Sequence, residues 1–282
     1  MHDGGDDGSI NGNRYIPFTD LIRLEKAADG TFRSRAKAFA PGGGTSAYGG
    51  HVFAQAVWAA AQTVREGFVV HVQGDASIDC QEQMDLKEAY KVALGDKRPD
   101  DWPEAPGVDS PWYWEASAKN DNYTDPFPGL SLRKVDMQAY NAPRKPLDRR
   151  QLQFYTTIGG MPPVAQAANL HACAHLYASD RNGLFVIPNH LGAGNNYTAM
   201  ATLSHSVVFH VSVSGLEMAE KDEKEARIWY CQETRMSRVS GGRGMLESRI
   251  WNEKGVHIAS TYQDGLVTLG DRPGSGKAKG KL

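Results

Sequence analysis

Residues 174–183 read AHLYASDRNG, the close of an apolar, alanine-rich run that stops at Asp180, just before Asn182 and Gly183. A carboxylate in that place faces the negative end of its own helix dipole, which costs roughly 0.3–1 kcal/mol. Held largely out of water there, it would keep its proton more tightly than a free acid and move toward the range useful to a general base. The plainer reading is that Asp180 opens a turn, because Asp, Asn and Gly all favour turns. Other residues invite different chemistry. His171 and His175 are spaced i, i+4 on the same run, and His205 and His210 stand in SHSVVFH. The first pair lacks the glutamate of a zinc-protease HExxH, with Ala172 in its place, so these histidines are expected to line a core or cleft and no metal ligand set is expected. PGGGTSAYGG, residues 41–50, is neither a P-loop nor GxGxxG, and no Gly-x-Ser-x-Gly elbow occurs. Phosphate cradling and the α/β-hydrolase route are therefore not supported, and no cofactor is expected.

Whatever positions these residues must be a sizeable fold. The chain has 282 residues and a hydrophobic fraction of 40%, enough for a real core. Lys plus Arg number 31 against 33 Asp plus Glu, so no net field points to nucleic acid or an anionic membrane as principal partner. Cys80, Cys173 and Cys231 have no CxxC spacing and read as buried thiols of a reducing compartment. The N-terminus MHDGGDDGSINGN lacks the regions of a signal peptide, and no run approaches the ~18 apolar residues needed to cross a bilayer. A soluble intracellular protein is the expectation. The final Gly-Lys-Leu departs by one residue from the Ser-Lys-Leu peroxisome address, which sets a peroxisomal location beside a cytoplasmic one.

Along the chain, FTDLIRLEKA suggests a short amphipathic start and TFRSRAKAF a strand. AYGGHVFAQAVWAAAQTV carries no charge between Ala47 and Val64, as expected of a helix buried on nearly all sides, and VVHVQG reads as a strand. Residues 75–128 mix charge with Pro, with helical spacing only around QEQMDLKEAYKVAL; Trp102, Trp112 and Trp114 are expected to pin this stretch to a core. Regularity returns in LSLRKVDMQAY and RQLQFYTTI, which suggest strands. Pro162 and Pro163 then precede the helical run VAQAANLHACAHLYASD. Three further strand stretches are TAMATLSHSVVFHVSV, ARIWYCQETRMSRVS and GRGMLESRIWNEKGVHIASTYQDGLVTL, the last with a hairpin turn at Asn252 to Gly255. Two α+β units, each a curved antiparallel sheet around a nearly uncharged helix, account for this order. That architecture is a double hotdog.

The motifs themselves resemble a known family. AYGGHVFAQAVWAAAQTV is similar to the first central helix of the acyl-CoA thioesterase II family, and HLYASD, SHSVVFH and SGGRGMLESRIWNEKGVHIASTYQDG resemble, in order, segments of its second repeat. The resemblance implies hydrolysis of an acyl-CoA to a free fatty or organic acid and CoA by direct attack of water. It places the family's acid on Asp180, its Thr on Thr202 and its Gln on Gln263, and acyl-CoA as the substrate. A hydroxyl and an amide, each both donor and acceptor, suit the orientation of a water beside a carboxylate. The oxyanion is expected at a helix N-terminus, with Gly49, Gly50 and His51 as candidates and the start of the helix near Val164 as another.

Departures from the family pattern lie at Ser204, usually Asp, in the charged turn MAEKDEKEA, and above all between Gly74 and Pro111, where the strands that complete the first sheet are not found. The expected organisation is a disordered N-terminus (1–16), a partial N-terminal hotdog repeat (17–74), a divergent insert (75–127), a C-terminal hotdog repeat with the catalytic residues (128–270) and a flexible basic tail (271–282). An incomplete sheet has more reason to pair with a second copy, so a homo-oligomer is left open. Two rivals stand beside the hydrolase: a non-catalytic acyl-binding protein, and an acyl-thioester dehydratase or hydratase, for which His175 or His205 would have to be essential.

Overall fold

The computed structural model describes residues 16–27, 30–40, 47–64, 82–119, 127–218 and 227–270. The expected strand VVHVQG, the loop PGGGTS, Cys80, the charged turn after Met218 and both chain ends lie outside them. The first described part holds α1 (Phe18–Leu21), the short antiparallel pair β1 (Leu24–Lys26) and β2 (Phe32–Ser34), and α2 (Gly49–Ala61). Among the described residues these two are the only strands before β3.

The stretch with helical spacing forms α3 (Leu86–Ala89) and α4 (Lys91–Leu94), separated by Tyr90, and α5 (Pro111–Lys119) follows. Its apolar residues Leu86, Tyr90, Leu94 and Trp102 form a cluster with Leu152, Cys231 and Trp251 of the main sheet. Trp102 thus pins the segment as expected. Trp112 does not, being exposed, and its backbone N–H donates to Asn195 instead.

The rest of the chain builds one layered unit: β3 (Leu130–Lys134), α6 (Gln138–Asn141), β4 (Gln151–Thr157), α7 (Val164–Ser179), α8 (Val186–His190), β5 (Tyr197–Phe209), β6 (Tyr230–Ser240), β7 (Arg243–Trp251) and β8 (His257–Leu269). Six antiparallel strands run in the order β3-β4-β6-β7-β8-β5. The last expected strand stretch is two strands, β7 and β8, about the Asn252–Gly255 turn, where Asn252 Oδ1 accepts from the N–H groups of Lys254 and Val256 and Gly255 takes a φ of 77°.

The sheet covers α7. From Leu170 to Ser179 every residue of α7 is buried except Ala172, and Cys173, Ala174 and Tyr177 share one core with Leu132, Tyr155, Tyr230, Ile250 and Ile258 from five strands. Small side chains at 172, 174 and 178 let the sheet approach closely, and dense packing of that kind holds the helix in one place. His175 is fully buried in this core, bonded at one ring nitrogen to the Tyr155 hydroxyl and at the other to Leu216 O, and burial pushes its pKa down to about 3. It is a satisfied core histidine, as is His171, which bonds Pro162 O and the Met218 N–H.

The expectation for α2 is corrected. Only Gly50, His51 and Ala54 are buried; Val52 is 55% exposed and the following turns are half-buried at best. Absence of charge permits burial on every side, but burial needs a covering element; α2 packs chiefly against α7, with Gln55 reaching Leu21 O and Ser34 and Phe53 edge-on to His205 of β5, and its outer face is left open.

Candidate active site

Asp180 caps the C-terminus of α7, and the chain then turns through Asn182, whose φ of 59° is left-handed, into α8. Thr202 lies on β5 and Gln263 on the neighbouring β8. Between Thr202 and Ser204 the register of β5 against β8 shifts by a bulge, so that Thr202 pairs with Gly265 and His205 with Gln263. Bulges bend a strand and re-aim its side chains. Here the result is that all three family positions meet. Thr202 Oγ1 donates to Asp180 Oδ1 at 3.1 Å, and the Gln263 amide donates both to the same carboxylate oxygen and to Thr202 Oγ1, the latter at 2.7 Å. Ser204, the departure from the family pattern, is exposed and takes no part.

The other carboxylate oxygen is held from the first half of the chain. Asp180 Oδ2 accepts the backbone N–H of Gly50, in the first turn of α2, at 2.7 Å. The acid at the negative end of α7 therefore sits on the positive end of α2, which offsets the unfavourable dipole of its own helix. Burial still dominates: Asp180 is 8% exposed, and its pKa is raised to about 6 by desolvation, against the lowering effects of Gly50, Thr202, Gln263 and the Arg181 guanidinium.

Gly50 is glycine for a steric reason. A Cβ there would lie 2.7 Å from Tyr177 O and from the Tyr48 ring, whose hydroxyl donates to the same Tyr177 carbonyl at 2.5 Å. Of the three oxyanion candidates, two are already engaged, the Gly50 N–H by Asp180 and the His51 N–H by Tyr48 O. The Gly49 N–H makes no hydrogen bond among the described residues, and Gly49 is exposed beside Asp180. His51 is buried with its ring edge-on to Tyr177, and burial lowers its pKa. The N-terminus of α7 is at the opposite end of that helix from Asp180.

Three contributors were not visible in the sequence. Gly183 leaves room for Gln263, since a Cβ at 183 would come within 2.5 Å of its Oε1. Ser179 Oγ bonds His205 Nε2 at 2.7 Å and Leu176 O at 2.9 Å, tying the residue before Asp180 to the strand that carries Thr202. Arg181, fully buried, lies over the Phe127 ring and donates to Asn182 and to Pro106 O. The first two could have been suspected only from their places beside family motifs; the third reads in sequence as part of a turn.

A curled antiparallel sheet around a buried helix, with an acid at that helix's end facing a strand hydroxyl and amide, is the hotdog arrangement. Residues 99–267 match the family described as the acyl-CoA thioesterase C-terminal domain, and the chain belongs to that family. Among solved structures it is similar to the acyl-CoA thioesterase II TesB2 of Mycobacterium marinum, at 17% identity over 89% of this chain and 98% of that one, with a TM-score of 0.59. The tesB protein of Mycobacterium avium subs paratuberculosis is similar at 15% identity over the same shares, TM-score 0.54. A hot dog fold protein of Alicyclobacillus acidocaldarius is similar at 12% identity over 90% and 98%, TM-score 0.50. No curated protein sequence matches the chain significantly. The fold is thus α+β and hotdog, and among the described residues no helix is long and apolar enough to cross a membrane.

Proposed function

We propose that the protein hydrolyses acyl-CoA thioesters to the free acid and CoA, with Asp180 as general base, Thr202 and Gln263 orienting the water, and the Gly49 N–H receiving the oxyanion. The observation that carries this reading is the convergence of Thr202 and Gln263 on one oxygen of a buried acid with a raised pKa. Water bound at that carboxylate gives up a proton to Asp180 as its oxygen attacks the thioester carbonyl. The tetrahedral oxyanion rests on the exposed N–H at the start of α2, and its collapse breaks the C–S bond and releases CoA as thiolate, which takes up the proton. In the same reading residues 17–74 supply what remains of a first hotdog unit and 128–270 the second. His175, enclosed and doubly bonded, does not favour a hydratase.

The test is Asp180→Asn in a thiol-release assay across acyl-CoA chain lengths. Turnover should fall about 10²–10⁴-fold, the usual contribution of a general base; wild-type turnover in this variant would sink the assignment. With a folded pKa of about 6 against roughly 3.9 unfolded, kcat/KM should rise with pH through about 6 and level off above it. Stability runs the other way. The fold binds the Asp180 proton more tightly than the unfolded chain does, so this residue's contribution falls as pH rises from about 4 to about 6, and the variant should lose that slope. The open outer face of α2 favours one other reading, an acyl-CoA-binding protein without turnover. It predicts saturable acyl-CoA binding with no thiol released at any chain length.

A further inference from the structure

The strand order places β5 and β8, with Thr202 and Gln263, at one side of the sheet, and β3 and β4 at the other. Against β3 and β4 lies a cavity of about 920 Å³, and none of Asp180, Thr202 or Gln263 lines it. It is lined by Pro103, Pro111 and Trp114, from the segment ahead of β3, and by Val135 and Met137 just after that strand. Size and apolar lining are those of a small-molecule site.

The walls are braced before any ligand enters. Asp109, 1% exposed, makes a salt bridge to Lys134 and accepts the Trp114 indole N–H at 2.9 Å, while its backbone carbonyl accepts the Asn189 amide at 2.8 Å. These bonds join the segment ahead of β3 to the strand itself and to α8.

Charge narrows the occupant. Lys134 is paired with Asp109 and Arg150 with Glu233 at 3.2 Å, a carboxylate that Arg249 shares, so each lining cation already holds an acid. The lining acids Glu115 and Asp136 form no ion pair among the described residues, which further disfavours a carboxylate. Two polar groups of the wall remain unanswered. Gln151 and His190 are 6% and 7% exposed, and the Gln151 amide nitrogen and His190 Nδ1 have no hydrogen-bond partner among the described residues. Burial, with Arg149 and Lys134 nearby, pushes the His190 pKa down to about 4 and keeps the ring neutral. A buried amide N–H lacking an acceptor costs about 1–3 kcal/mol, and a carbonyl oxygen answers it where an ammonium cannot.

We propose that this cavity is a second ligand site, separate from the Asp180 site, which takes an uncharged amphipathic acyl amide or ester. Its apolar chain lies against Trp114, Val135 and Met137, and its carbonyl oxygen is turned toward the Gln151 amide.

Calorimetric titration of the full chain with octanamide, octanoate and octylamine tests this. Octanamide should bind saturably, one per chain, and the two charged probes at least about tenfold more weakly. Ala118→Trp, which fills the cavity from α5, should cost about tenfold or more in octanamide affinity. Gln151→Leu, which keeps the volume and removes the donor, should erase the preference for octanamide and serves if the first variant does not fold. Asp180→Asn should bind octanamide as the wild type does. The site is overturned by absence of saturable octanamide binding, by equal binding of octanoate, by undiminished binding in both cavity variants, or by loss in Asp180→Asn, which would place the ligand in the thioesterase site.

Discussion

Two helices of nearly the same composition end in different surroundings. Both α7 and α2 are rich in alanine and free of charged side chains, yet α7 is enclosed by a six-stranded sheet from Leu170 onward while α2 keeps an open face with Val52 at 55% exposure. Composition set what each helix tolerates, and the sheet decided what each one got. The pairing also divides the labour at the site. The enclosed helix supplies the acid, and the open one supplies the N–H that holds it.

The sharpest way to break this comparison is to place the same charge on each helix. Ala174→Asp puts an unpaired carboxylate in the core of α7 and should cost more than about 4 kcal/mol, enough to prevent folding, as read by denaturant titration. Next is Gly50→Ala, whose methyl would meet Tyr177 O and force α2 off α7; a loss of about 1–3 kcal/mol is expected, with a disproportionate fall in kcat because Asp180 Oδ2 loses its backbone donor. Gly183→Ala, with its methyl against the Gln263 amide, should lower kcat about tenfold while the melting temperature moves by only a few degrees. The smallest effect belongs to Val52→Asp on the open face of α2, within about 0.5 kcal/mol of wild type. A loss there comparable to Ala174→Asp would show that α2 is covered in solution.

The second half of the chain was legible because its signals are local: alternation in the strands, turn residues at Asn252–Gly255, and an alanine-rich run closing on Asp180. The acid's misplacement against its own dipole was visible too. Its remedy was not, because the compensating N–H belongs to Gly50, 130 residues earlier in the chain. A glycine in a sequence does not say whether it grants a turn or a close approach, and here Gly50 and Gly183 both grant approaches that only tertiary contacts define. The bulge between Thr202 and Ser204, which lets those strands deliver the hydroxyl and the amide to the same oxygen, is equally silent in composition. Family resemblance located Thr202 and Gln263; periodicity alone would have left them as an ordinary strand threonine and a residue before a turn.

The bond from Gly50 to Asp180 also sets an order in which the molecule should fail on heating. Most of α7 is enclosed by the sheet, whereas α2 is seated on it through Gly50, His51 and Ala54 and keeps a partly open face. Warming should therefore unseat α2 first, leaving a sheet still folded by circular dichroism but an acid stripped of its Gly50 donor. Catalysis would then be the most heat-sensitive property of the protein, extinguished several degrees below the transition that its secondary structure reports.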